Sequence, residues 1–109
     1  MELNILTKKY QEAFNNQDID KLKSLFHKDV ILKDWERSVS GLNDVVSENE
    51  KIFKSVKSLK AISVKEYYFD NTAICVLKIH INNEETIDVV DIIEFDQEGK
   101  ILSITAYKG

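Results

Sequence analysis

Residues 59–107 read LKAISVKEYYFDNTAICVLKIHINNEETIDVVDIIEFDQEGKILSITAY, and apolar side chains alternate with polar ones over most of this stretch. A period of two is typical of β-strands, whose successive side chains point to opposite faces of a sheet. The pattern and its turn residues predict four strands, at about 59–69, 72–82, 85–95 and 100–107. Connections this short join antiparallel neighbours, because a parallel crossover needs about a dozen residues or more.

The first half of the chain has a helical period instead. Apolar residues recur at helical spacing from Leu3 to Asn16, and again over 19–26 after a good N-cap, Asp18. A third helix is predicted over 42–53, and a short strand over 30–34 precedes it. Three helices followed by an antiparallel meander make an α+β fold.

The size and charge of the chain argue against several classes of function. Its 109 residues, 43% hydrophobic and 31% charged, predict one globular domain, residues 1–109. A formal charge of -4 argues against nucleic-acid binding, which needs a basic surface. No apolar run approaches the ~20 residues of a membrane span and no signal peptide is visible, so we expect a cytoplasmic protein with no membrane partner.

Metal and phosphate sites are not expected either. The lone Cys75 and the two histidines, His27 and His80, do not have the spacing of metal ligands. The chain has only three glycines, which leaves no glycine-rich loop for a phosphate. The sequence therefore predicts neither a metal nor a cofactor.

Three polar side chains fall where the patterns favour apolar ones. Asp91 lies on the more apolar face of the strand at 85–95, and Asp34 shares a face with Val30 and Leu32 of the strand at 30–34. Tyr10 lies on the apolar stripe of the first helix. A buried carboxylate is costly unless it is paired, hydrogen-bonded or protonated. If all three face one apolar cavity, they make an acid/base site.

Each of these positions also has a purely structural interpretation. A mis-phased strand, a bulge or a polar neighbour would account for Asp91. Asp34 would be unremarkable if it lay just beyond its short strand. A tyrosine such as Tyr10 on an apolar stripe is usually a core residue whose hydroxyl reaches the rim.

Two motifs resemble a known superfamily. The run from Tyr10 to Asp20, YQEAFNNQDID, and the run from Phe95 to Ile104, FDQEGKILSI, are similar to segments of ketosteroid-isomerase-like and SnoaL-like proteins of the nuclear-transport-factor-2-like superfamily. With the stretch around Asp34, the resemblance spans nearly the whole chain. It implies a cone-shaped, cystatin-like α+β barrel, in which three N-terminal helices pack in the concave face of a curved antiparallel sheet. It also implies homodimers formed through the sheet.

The resemblance further implies a site. Asp34 falls where the ketosteroid isomerases have a base aspartate, and Tyr10 and Asp91 match the tyrosine and the neutral aspartic acid that donate to the substrate oxygen. Trp35 stands where the family often has proline, and Asn49 where some isomerases have a second tyrosine. The residues expected to line the pocket are Phe14, Phe26, Leu32, Trp35, Asn49, Phe53, Val89 and Ile93.

The chemistry implied by the resemblance is proton abstraction next to a carbonyl group. Asp34 would remove the proton while Tyr10 and Asp91 stabilise the enolate oxygen, and the partner would be a small apolar or carbonyl-containing molecule. Two alternatives stay open. One is a non-catalytic module that binds a small apolar ligand in the same cone. The other is a SnoaL-like cyclase or hydrolase, in which paired carboxylates hold a water near an asparagine or the chain's one arginine, Arg37.

Overall fold

Three helices and six strands make up residues 2–109, the part of the chain described by the structure, which is a computed structural model. The helices are α1 (Leu3–Asn15), α2 (Ile19–Leu25) and α3 (Leu42–Lys54). The strands are β1 (Phe26–Lys33), β2 (Ser38–Ser40), β3 (Leu59–Phe69), β4 (Thr72–Ile81), β5 (Glu85–Phe95) and β6 (Ile101–Lys108).

All six strands belong to one curved sheet in the order β2-β1-β6-β5-β4-β3. The four strands predicted from the alternation form the antiparallel meander β3 to β6, at nearly the predicted bounds. The predicted α+β fold is confirmed. The sheet is mixed, however, because β1 pairs with β6 in parallel. The pairing of β1 with β6 joins the two halves of the chain. Local hydrophobic periodicity contains no information about such a long-range contact, so it could not be predicted from the sequence.

The boundary between α2 and β1 differs from the prediction. The helical period includes Phe26, whereas α2 ends at Leu25 and Phe26 begins β1 with extended backbone. Phe26 is only 4% exposed, because its pairing with Ile101 of β6 places the ring in the core. An apolar residue at a helix-to-strand junction satisfies both periods, so periodicity alone cannot assign it.

The core lies between the helices and the concave face of the sheet. Its most buried members come from almost every element and include Leu22 of α2, Val30 of β1, Val45 of α3, Ile93 and Phe95 of β5 and Ile101 of β6. The burial of these apolar faces holds the helices on the sheet. Within residues 2–109, no helix has the length and the apolar content that a membrane crossing requires.

Candidate functional site

A cavity of about 320 Å³ lies between the helices and the concave face of the sheet. This volume is in the range of small-molecule sites. Most of its lining residues are apolar, and Tyr10, Asp34 and Asp91 are among the polar exceptions. The structure therefore brings the three sequence-predicted site residues to one cavity, although they come from α1, the end of β1 and the middle of β5.

Asp91 faces the cavity from the concave side of β5. Its cross-strand neighbours are Cys75 of β4 and Ala106 of β6, and neither offers a charged partner. Among the described residues, no group donates a hydrogen bond to its carboxyl. Burial, and secondarily the negative charge of Asp34, raises the pKa of Asp91 from 3.8 to about 7. A carboxyl with such a pKa is present in both protonation states at neutral pH and can serve as acid or base.

Tyr10 enters the cavity from the buried stripe of α1 and is only 6% exposed. Its ring lies tilted against those of Phe14 and Phe26, with centroids 6.3 and 6.4 Å away. Burial, and then the charges of Asp91 and Cys75 when these ionise, raises the pKa of Tyr10 well above its ordinary value. The hydroxyl therefore stays protonated and is available as a hydrogen-bond donor.

Asp34 directly follows β1, and each oxygen of its carboxyl group accepts at least one hydrogen bond, with accepting capacity left on Oδ2. One oxygen, Oδ1, accepts the backbone N–H groups of Glu36 at 2.8 Å and Arg37 at 2.9 Å. The other, Oδ2, binds the guanidinium of Arg37. Asp34 thus combines the structural and the site interpretation of the sequence: it lies just beyond β1, where it closes the turn to β2, and its carboxyl faces the cavity.

Arg37, which the sequence analysis named only for the hydrolase alternative, also lines the cavity. Besides Asp34, its guanidinium contacts Glu36 at 3.1 Å and Glu48 of α3 at 3.4 Å. One feature of the sequence could have predicted this turn. Asp34 comes just after a strand, and Arg37 follows it by three residues. A turn aspartate can accept the N–H groups two and three residues ahead of it.

Of the eight residues expected to line the pocket, five lie at the cavity and three lie elsewhere. Phe14, Leu32, Trp35, Asn49 and Val89 line the cavity. Phe26, Phe53 and Ile93 do not: they are buried in the core behind it, at 4%, 7% and 1% exposure. Helices and strands of a cone present their inward side chains to both the cavity and the core, and the sequence does not separate the two.

Gln11 is a further lining residue that the pattern did not identify. It follows Tyr10 on α1 and is half-buried, with its Nε2 out of contact with solvent. As for metals, no three His, Cys, Asp or Glu side chains among residues 2–109 converge into a possible metal site.

Comparisons with known proteins agree with this architecture. A family model described as a SnoaL-like domain matches residues 7–104. A search of curated proteins finds no match. Among solved structures, an NTF2-like protein of unknown function from Cytophaga hutchinsonii superimposes with a TM-score of 0.84 and 17% identity, covering 100% of this chain and 91% of that one.

Two further structures have the same fold and are described as enzymes. A protein from Kribbella flavida, provisionally assigned as a ketosteroid isomerase, gives a TM-score of 0.85 at 15% identity and covers 96% of this chain and 76% of its own. An epoxide hydrolase of M. tuberculosis, described as LEH-like, gives a TM-score of 0.83 at 12% identity, with 95% and 80% covered. Identities this low show the shared fold alone.

Proposed function

The chain belongs to the SnoaL-like domain family, and on that premise we propose that it is an acid/base enzyme that moves a proton next to the carbonyl group of a small, largely apolar molecule. One observation carries the proposal: Asp91, a largely buried carboxyl without a hydrogen-bond donor among the described residues, shares an apolar cavity with the Tyr10 hydroxyl and with the arginine-bound carboxyl of Asp34. Two carboxyl groups whose environments differ so strongly are the usual basis for separate acid and base roles.

The proposed reaction assigns one role to each side chain. Asp34, held in place by Arg37, takes a proton from the carbon next to the carbonyl, and the electron pair of that bond moves onto the carbonyl oxygen. Protonated Asp91 and Tyr10 donate hydrogen bonds to this oxygen, where negative charge develops. Asp34 then returns the proton to a carbon further along the conjugated system. The donors act mainly in the transition state, because the oxygen carries little charge before it.

To test this, the protein is incubated with a panel of small ketones that contain an unconjugated double bond. Turnover is measured as the increase in ultraviolet absorbance of the conjugated product. We expect turnover by the wild type, loss of turnover in Asp34→Asn, and roughly 10²–10³-fold lower kcat in Asp91→Asn or Tyr10→Phe. Asp88→Asn is the matched control, because Asp88 lies in the same strand but pairs with Lys78 at the surface. Full turnover in Asp34→Asn would refute its role as the base.

A second candidate is hydrolysis, and the pair Asp34–Arg37 is the observation that favours it. An arginine-bound carboxylate opposite a second carboxyl is suited to holding and deprotonating a water, and Asn49 lines the same cavity. The similarity of fold to an epoxide hydrolase supports this candidate in the same limited way as the similarity to the isomerase. Small epoxides in ¹⁸O-labelled water separate the two: incorporation of one label per diol supports hydrolysis, and no diol formation excludes this reaction for the epoxides tested.

If the protein converts neither the ketones nor the epoxides, non-catalytic binding of a small ligand is the remaining function. In that case an apolar fluorescent probe that enters the cavity should bind the wild type and should bind Tyr10→Phe and Asp91→Asn with altered affinity. The same cavity would then orient a ligand through these two residues without transforming it.

A further inference from the structure

A second group of polar side chains lies beside the cavity, where α1 runs along β3. The amide of Asn15 bonds both backbone groups of Ala61, with its Nδ2 2.9 Å from the carbonyl oxygen and its Oδ1 2.8 Å from the nitrogen. At the other end of α1, Leu3 and Asn4 share a surface hollow with Tyr68. The helix therefore runs antiparallel to the strand over its whole length.

This alignment fixes which residues meet between the two ends. Four residues of a helix rise about 6 Å, and two residues of a strand advance about 6.6 Å, so one turn of α1 passes about two residues of β3. One turn before Asn15, Gln11 lies over Ser63. The same spacing places Thr7, one further turn back, over the next inward-facing residue, which is Glu66.

Glu66 faces inward because β3 contains a bulge. The register shifts between Ser63 and Lys65, and Val64, the extra residue, is 55% exposed. The bulge reverses the phase of the strand, so that Glu66 rather than Lys65 lies opposite Cys75, which is fully buried. A β-bulge commonly re-aims a side chain in this way.

Three polar atoms around this point are buried without a partner: Thr7 Oγ1, Gln11 Nε2 and Ser63 Oγ. Thr7 is completely buried, at 0% exposure. Glu66 accepts a hydrogen bond from the Tyr68 hydroxyl. Burial acts to raise the pKa of Glu66, but the hydroxyl of Tyr68 and the nearby polar groups of Ser63 and Gln11 outweigh it and lower the pKa. Ser63 and Gln11 are thus close enough to the carboxylate to lower its pKa, yet Ser63 Oγ and Gln11 Nε2 have no partner within regular hydrogen-bond geometry.

We propose that the niche formed by Thr7, Gln11, Ser63 and Glu66 is an internal water site, in which bound water completes the hydrogen bonds of these four side chains. Buried polar groups in native proteins are nearly always paired, and ordered water is the usual partner when protein groups are not. The niche contains hydroxyls, an amide donor and a carboxylate acceptor. Only a small molecule that both donates and accepts can satisfy such a set.

The water site also gives the cavity wall a polar connection to the edge of the sheet. Gln11 borders both the niche and the cavity, whereas Thr7, Ser63 and Glu66 are not part of the cavity lining. Glu66, Cys75 and Asp91 are directly opposite one another on adjacent strands and share the concave face. The niche therefore lies at the β3 end of the row that contains Cys75 and Asp91, and this placement does not depend on whether the cavity catalyses a reaction.

The first test is the thermal stability of Thr7→Val, which replaces a hydroxyl by a methyl group of the same shape. If water binds the hydroxyl, the variant loses a hydrogen bond and its Tm should fall by about 4 °C or more. If the niche is dry, the variant removes an unpaired polar atom and its Tm should rise. A Tm of Thr7→Val that is equal to or above that of the wild type overturns the proposal.

The second test uses Cys75 as a reporter, because it is the chain's single cysteine and gives a single S–H infrared band. With water in the niche, the thiol should exchange with D₂O far faster than the backbone amide of Cys75, and the double variant Thr7→Val/Ser63→Ala should slow this exchange at least tenfold. Thiol exchange as slow as amide exchange, or an unchanged rate in the double variant, would show that the niche does not admit water to the core.

Discussion

Within the site, Asp91 is the residue whose burial costs the most free energy. Its carboxyl lies in an apolar cavity with no donor among the described residues, so the protein favours the protonated form. The unfolded chain has no such preference, because its carboxyl is solvated. The difference between the two states makes the stability of the protein depend on pH.

The sign of this dependence follows from the proton count. Between pH 4 and pH 7 the folded protein keeps a proton on Asp91 that the unfolded chain has released, so the free energy of unfolding decreases as the pH rises. A shift from 3.8 to about 7 corresponds to a loss on the order of 4 kcal/mol, complete only above pH 7. Asp91→Asn cannot ionise and should not show this loss.

Urea unfolding of the wild type and of Asp91→Asn from pH 4 to pH 8 tests this prediction. The difference between their free energies of unfolding isolates the contribution of Asp91, because the other titrating groups contribute equally to both proteins. We expect the stability of Asp91→Asn relative to the wild type to increase steadily over this range. Asp88→Asn, on the opposite face of the same strand, should not reproduce the trend. Parallel stability curves for the wild type and Asp91→Asn would mean that Asp91 has a partner in solution and titrates normally.

At the scale of elements, the attachment of α1 to β3 organises the site. β3 is an edge strand, and edge strands present backbone groups that no neighbouring strand pairs. Asn15 supplies the missing partner at Ala61 by bonding its N–H and its C=O together. The same contact fixes the register of α1, and with it the positions of Tyr10 at the cavity and Gln11 beside it.

Asn15→Ala should therefore destabilise the protein by about 1–3 kcal/mol, because two backbone groups of Ala61 lose their partner. Asn16→Ala is the matched control: Asn16 is exposed and its side chain makes no hydrogen bond to the described residues, so its effect should stay within about 0.5 kcal/mol. Thermal unfolding of the three proteins measures both. Equal stabilities for the two variants would show that the Asn15 contact contributes nothing in solution.

The sequence predicts the elements and the inward direction of single side chains better than it predicts their partners. Asp91 and Tyr10 are visible because a polar residue interrupts a regular period. The ion pair of Asp34 with Arg37 depends on the conformation of a turn, which has no period. The bulge that points Glu66 inward breaks the alternation itself, so a continuous strand pattern over 59–69 assigns the wrong face to the residues from Lys65 onward.

At the scale of the whole molecule, the convex face of the sheet is the surface that the single chain leaves unexplained. Tyr67, Ile74 and Ile92 lie opposite one another across β3, β4 and β5, and Val76, Val90 and Tyr107 form the next such row across β4, β5 and β6. Tyr67 and Tyr107 are 53% and 58% exposed. A contiguous apolar patch of this kind is typical of a protein–protein interface.

We therefore propose that two chains pair through the convex faces of their sheets. A charge placed at the centre of the patch, in Ile92→Lys, has to be desolvated in such a dimer and has no partner there, so the variant should be monomeric. Ile5→Lys is the control, because Ile5 is 47% exposed on α1 and lies away from the sheet. Sedimentation equilibrium should give twice the chain mass for the wild type and for Ile5→Lys, and the chain mass for Ile92→Lys. A monomeric wild type would contradict the proposed pairing, whereas a dimer that persists in Ile92→Lys would place the interface on another surface.

The cavity opens on the concave side of the sheet, away from the proposed interface. We therefore expect the ketone panel to give the same turnover per chain in the monomeric variant Ile92→Lys as in the dimer.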